Sequence, residues 1–202
     1  MKPQFFKKNQ LIYNYTKRAD FWAGNEFFNF DNKAIRNNNL QIARAVKKEI
    51  YHHYLHSKEV RKNKLYTYNP DINGQFKIRT IDGDNAANEA DYSIVHFELN
   101  AEKIPAKEVY VFGAFNNFTL SSENKMTYDD TSKSYKASLG LKQGFYNYMF
   151  VTKNNNQVNL HEISGSFYET ENEYTVVIYY KPFGKNYDRV IGVGSAVFNS
   201  QQ

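Results

Sequence analysis

The stretch SGSFYETENEYTVVIYYKPFGKNYDRVIG, Ser164 to Gly192, decides how the chain is read. Its centre, Tyr174 to Tyr180, is a run of aromatic and β-branched residues, a composition that favours a strand. On a strand, Tyr174, Val176, Ile178 and Tyr180 share one face, and Thr175, Val177 and Tyr179 share the other. Both faces carry bulk, so the reading predicts a central strand covered on both sides. Pro182, Phe183 and Gly184 end the run, since proline cannot donate to a ladder and glycine permits the turn. Asp188 to Val193 is apolar enough to resume pairing beyond that turn.

Outward from this stretch, the same grammar repeats. Asp91 to Leu99 alternates, with Tyr92, Ile94 and His96 against Ser93, Val95, Phe97 and Leu99. Val109 to Phe115 reads as a strand, as do Met126 to Tyr128 and Tyr135 to Leu139 on either side of a turn at Asp129 to Ser132. Gly144 to Val151 runs into an asparagine-rich hairpin tip. Many short strands between turns predict an all-β protein, an immunoglobulin-like antiparallel β-sandwich. Upstream, Leu11 to Tyr15 and Gln75 to Thr80 alternate as strands, and Asp82 to Glu89 reads as a linker. The expected division is therefore residues 1–88, the C-terminal part of another β domain, and residues 89–202, the sandwich. Leu40 to His56 supports two readings. Ile42, Val46, Ile50 and Tyr54 recur at a helical spacing, whereas Ile50 to Leu55 is β-rich.

Composition narrows the function. Aromatic residues make up 17% of the chain, with 17 Tyr, 16 Phe and one Trp, which suits half-wet β-sheet faces. With no cysteine there is neither a disulfide framework nor a thiolate metal site. No apolar run approaches the ~20 residues of a membrane-spanning helix. Met1, Lys2 and Pro3 lead into a mixed stretch, without the apolar core of a signal peptide. The net charge of +5 is uneven: residues 1–66 hold 14 Lys/Arg and 5 Asp/Glu, and the remainder carries a net −4. A basic half suits nucleic acid, anionic headgroups or an acidic protein rim, or is a solvated surface whose lysines keep strand edges from pairing.

Constellations that could carry chemistry are few. His52 and His56 share a face on a helix, and His52, Tyr54 and His56 share one on a strand, but no HExxH pattern accompanies them. Glu169, Glu171 and Glu173, at period two, fit a polar rim better than an acid/base pair. There is no nucleophile elbow and no phosphate-binding glycine loop. The expectation is a protein that is not an enzyme, with no cofactor and no metal.

Two segments carry a resemblance. Gly165, Ser166, Tyr168 to Tyr174, Tyr179, Tyr180, Pro182 to Gly184 and Tyr187 to Arg189 closely resemble the C-terminal signature of the plug-protein family of the type IX secretion system of Bacteroidetes. Gly24, Asn25, Glu26, Phe27, Asn29, Phe30 and Asp31 resemble a second segment of that family. The resemblance runs from about Gly24 onward and implies strands across Leu40 to His56. It also implies a periplasmic protein at the inner face of the outer membrane. Its partner is the translocon barrel, whose periplasmic mouth it closes when no substrate is bound. Family members are longer at the N-terminus, so an upstream part is expected to be missing. A second likeness lies in Tyr110 to Phe118 and Lys142 to Phe150, which resemble immunoglobulin-like carbohydrate-binding modules, with Phe118 where such modules carry tryptophan. That likeness implies a glycan-binding alternative, favoured if Phe118, Tyr146 and Tyr148 form an exposed platform. Candidate partner-binding residues are Phe118 and Phe183 as aromatic anchors, and Lys47, Lys48, Arg61 and Lys62 as the basic face. Nucleic acid is not expected as a partner.

Overall fold

The structure is a computed structural model that describes residues 3–8, 10–14 and 20–198. It contains fifteen strands among those residues: β1 Phe5–Lys7, β2 Gln10–Ile12, β3 Phe28–Asp31, β4 Ile42–Lys47, β5 Tyr51–Leu55, β6 Lys58–Glu59, β7 Phe76–Ile78, β8 Tyr92–Asn100, β9 Glu108–Phe112, β10 Thr127–Asp129, β11 Ser134–Lys142, β12 Gly144–Asn154, β13 Gln157–Asn159, β14 Asn172–Tyr180 and β15 Arg189–Phe198. Two single-turn helices join them, α1 (Ala86–Glu89) and α2 (His161–Ser164).

The strands form an all-β sandwich. One sheet runs β10-β11-β8-β5-β4, with β6 also on β8. The pairs β5–β8 and β6–β8 are parallel, and the rest of this sheet is antiparallel. The second sheet is built on the eleven-residue β12. Strands β3 and β13 pair with it, and so do β7 and β9. Inward residues meet between the sheets: Val95, Phe97 and Leu99 of β8 against Phe30, Val109, Val111, Tyr146, Tyr148 and Phe150. Phe97 stands edge-on to Tyr148 at 5.0 Å and to Phe30 at 5.8 Å. Such pairs add to the ~1.5–3 kcal/mol that each buried large side chain contributes. On its other face β12 buries Met149 and Val151 with Tyr110 of β9.

Alternation in β8 falls as expected, Ser93, Val95, Phe97 and Leu99 inward. Leu40 to His56 forms the β4–β5 hairpin. In a pleated strand His53 and Leu55 turn inward, and the helical spacing of Ile42, Val46, Ile50 and Tyr54 is incidental. Two expectations need correction. The linker-like Asp82 to Glu89 joins strands of the same two sheets and does not separate two bodies. Strands β5 and β6 before it pair with β8 after it, and β3 and β7 pair with β12. Polar, small residues mark a surface connection, and a connection within a sheet has the same composition as one between domains. The second correction concerns β14, expected to be central and covered. Among the described residues it pairs with β15 alone, and most of its residues are exposed. The proposed strand Leu11 to Tyr15 appears as β2 through Ile12, and Tyr15 lies outside the described residues.

Candidate functional site

The segments Ala23–Glu26 and Ser164–Asn172 are some 140 residues apart in sequence and meet at one edge of the sandwich. Gly24 donates its N–H to Ser166 Oγ at 3.0 Å, and its carbonyl accepts from the Phe167 N–H at 2.8 Å and from Thr170 Oγ1 at 2.9 Å. Asn25 Nδ2 donates to the Ser164 carbonyl at 2.6 Å, and Asn172 Nδ2 donates to the Ala23 carbonyl at 2.9 Å. Local sequence explains the fit. Gly24 and Gly165 sit at φ of +75° and +78°, the left-handed region where glycine is unstrained. At Gly165 a Cβ would also lie 2.8 Å from the Phe167 ring and 3.0 Å from Lys62 Cα.

Beneath these bonds lie Glu26, buried, and Arg61, half-buried. Glu26 is 6% exposed, and its carboxylate accepts from the Tyr66 hydroxyl at 2.5 Å. Burial pushes the Glu26 carboxyl up, with the nearby Asp71 acting the same way and the Tyr66 bond opposing. Arg61 Nη2 donates to the Glu26 carbonyl at 2.6 Å, and the guanidinium lies 3.9 Å over the Phe28 ring. Burial pushes Arg61 down to about 10. The Ile163 carbonyl accepts from the Arg61 and Lys62 backbone N–H groups at 2.8 and 3.1 Å. Phe27 N–H donates to Asp71 Oδ2 at 2.6 Å, tying the 69–73 turn to the same place. The whole is a latch: polar groups of four chain segments bond one another, as burial favours, with Arg61 Nε and Ser164 Oγ left unpartnered.

From this latch the β14–β15 hairpin projects. Tyr174, Val176, Ile178 and Tyr180 on one face are 36–63% exposed, and Val177 and Tyr179 on the other are 40% and 66% exposed. Phe183 at the tip is fully exposed. A two-stranded ribbon with apolar side chains on both faces is marginal in water by itself. It presents adhesive surface at its tip and along its length.

The structure separates the other candidates. Tyr146 and Tyr148 are buried in the core, so Phe118 has no tyrosine platform beside it. Phe118 packs at 5.4 Å on Phe112 and is 40% exposed. It lines a groove of about 410 Å³ with Trp22, Asp71, Asn73 and Leu160. Lys47 ends β4 and Lys48 opens the β4–β5 turn, at the Tyr92 end of β8. Arg61 and Lys62 follow β6, beyond the Asn100 end, inside the latch. The four cations therefore occupy opposite ends of a sheet and not one patch. His52 and His53 point to opposite faces. His53 is fully buried, with Nε2 donating to the Ile35 carbonyl at 2.8 Å and Nδ1 3.0 Å from Ser93 Oγ. His52 Nδ1 lies 2.9 Å from His96 Nε2 on the outer face. Among the described residues no three His, Asp or Glu side chains gather as metal ligands. The sequence reading missed Asn25, Tyr66 and Asp71 as latch residues; Asn25 stood inside a quoted motif, whereas nothing in spacing pointed to Tyr66.

Among solved structures the chain is similar to that of a hypothetical protein from Parabacteroides merdae ATCC 43184. The two share 33% identity and superpose with a TM-score of 0.88 over 97% of this chain and 50% of that one. The chain thus spans half the length of that protein. No family model matches it, and no curated protein does.

Proposed function

We propose that the chain is part of a non-enzymatic plug subunit that closes the periplasmic end of the type IX secretion outer-membrane translocon when no substrate is bound. The observation that supports this reading is the latch. The two segments that carry the family resemblance meet in it, and together they hold the root of an adhesive hairpin. A plug requires a rigid body and a few aromatic anchors whose contacts can be released, and not a reactive centre. Phe183, at the tip of a ribbon fixed at its base, is the leading anchor.

The test is binding of the purified chain to the detergent-solubilised empty translocon barrel. Phe183→Asp is expected to weaken binding at least tenfold, the scale of a truncated interface anchor. Reversal of Lys47 and Lys48, and separately of Lys62, asks which end of the sheet meets an acidic rim. The end that does should show slower association as salt rises. An unchanged affinity for Phe183→Asp removes the hairpin from the interface, and failure of the chain to bind any empty translocon overturns the reading. A glycan-binding alternative draws on the groove that Trp22 and Phe118 share, and maltooligosaccharide binding lost on Phe118→Ala would favour it.

A further inference from the structure

A second site lies on the basic side of the latch. The 330 Å³ pocket there is lined by Phe28, Lys58, Arg61, Lys64, Leu40 and Leu65, with amide side chains between them, and no carboxylate lines it. Lys58 Nζ and the Arg61 guanidinium stand 5.4 and 3.9 Å from the same Phe28 ring. Lys58 forms no ion pair among the described residues, and Arg61 is bonded only to a neutral carbonyl, with its Nε buried and unpartnered. Glu26 and Asp71 act on Arg61 from outside the pocket lining. Lys64 pairs with Glu59 at the rim. Burial, and then Arg61, hold Lys58 below its usual range, as expected for a partly buried ammonium beside a second cation.

The apolar part of the lining is as distinctive. Leu40 and Leu65 are 91% and 94% exposed and flank the cations. A leucine so placed gains nothing in water, and two of them beside paired cations match an amphiphile: charge into the pocket, hydrocarbon onto the leucines.

We propose that this pocket binds the phosphate of an anionic membrane phospholipid, with Lys58 and Arg61 on the phosphate and Leu40 and Leu65 in the acyl boundary. The proposal does not depend on the plug reading. It would seat the chain on a bilayer surface through its own residues, whatever protein it meets there. Arg61 belongs to the latch, so the test works through Lys58.

The experiment is co-sedimentation of the whole chain with vesicles of phosphatidylglycerol and phosphatidylcholine, against vesicles of phosphatidylcholine alone. Binding is expected only to the anionic vesicles. Lys58→Gln should weaken it ~fivefold, the weight of one basic residue at a membrane surface. Lys133→Gln, the same charge change in the β10–β11 turn, should leave it unaltered. Leu40→Ser with Leu65→Ser should also weaken vesicle binding. That pair should leave unchanged the amide shifts that inorganic phosphate induces around Phe28. Equal losses for Lys58→Gln and Lys133→Gln would reduce the effect to general charge attraction and overturn the site. Phosphate-induced shifts without vesicle binding would overturn the lipid assignment. So would binding of an acidic peptide at this pocket in place of vesicles.

Discussion

Strands β8 and β14 are each nine residues long and rich in alternating aliphatic and aromatic side chains, yet they have opposite fates. Val95, Phe97 and Leu99 of β8 are at most 1% exposed, while Val176, Ile178 and Tyr179 of β14 are 42–66% exposed. The difference is in what lies beyond each strand. Strand β8 has β11 on one edge and β5 and β6 on the other, and a second sheet packs over its inner face. Strand β14 has β15 on one edge, and its side chains are exposed on both faces beyond its root. Composition makes both strands, and only the number of layers makes one of them core. The hairpin spends apolar surface on the outside, which a chain does at places meant to be covered by something else.

The comparison is most easily broken by mutation. Phe97→Ala should cost ~3–5 kcal/mol, as expected for a buried aromatic in contact with Phe30 and Tyr148. Val176→Ala, at 63% exposure, should stay within ~0.5 kcal/mol. Urea unfolding followed by circular dichroism reads both. A cost for Val176→Ala near that of Phe97→Ala would mean that the hairpin is packed in solution, and the contrast would collapse.

The latch is the link between the two regions, so weakening it should sharpen the contrast. Asn25→Ala removes the bond to the Ser164 carbonyl and an acceptor of the Glu26 N–H, both buried. The expected cost is ~1–3 kcal/mol, the range for leaving buried polar groups unsatisfied. Amide exchange should locate it. Residues 163–180 should lose protection, while Val95, Phe97 and Phe150 keep theirs. Uniform loss across β8 and β12 would show that the latch supports the whole sandwich and not the hairpin root alone.

Much of this architecture was legible beforehand. The alternation of Asp91 to Leu99 specified a strand and also its inner face, because a period of two in a half-buried strand encodes both. The turns at Asp129 to Ser132 and Asn154 to Asn156 were marked by residues that favour them. What failed was inference across distance. Two-sided bulk in Tyr174 to Tyr180 is the pattern of a central strand, and equally of a ribbon whose cover is not part of this sandwich; one-dimensional patterning cannot separate them. The same holds at Asp82 to Glu89, where local composition cannot tell a crossover from a boundary. The latch was half legible. Its two segments stood out by resemblance, but their meeting depends on Gly24 N and Ser166 Oγ being brought to 3.0 Å by β3 and α2, both of which contact β12. Tyr66 and Asp71 join through a turn that only the folded sheet positions.

The smallest effect expected is a pH dependence that belongs to the sandwich body and spares the hairpin. On the outer face of the first sheet, Arg44 lies 4.2 Å over Tyr54, Tyr54 stacks at 4.1 Å on His96, and His96 stacks on His52. His96 Nδ1 is 2.8 Å from Ser138 Oγ, and its Nε2 is 2.9 Å from His52 Nδ1, so one ring must offer a lone pair to the other. Partial burial, with His52, Lys48 and Arg44 adding like charge, pushes His96 down to about 4. A histidine free in the unfolded chain titrates near ~6.5. The unfolded state therefore binds the proton first, and stability is full above ~6.5 and declines as pH falls toward about 4. Solvent screening at this half-exposed ladder keeps the amplitude below that of the latch variant. His53, pushed down by burial, adds the same sign, and Glu26, pushed up by burial, adds the opposite one. Comparing the chain with His96→Phe cancels both. Phenylalanine keeps the stack on Tyr54 and cannot titrate, so its melting temperature should fall less between pH 7.5 and pH 5 than that of the native chain. Parallel slopes would mean that His96 accepts its proton without cost, through a rotation that breaks the contact with His52.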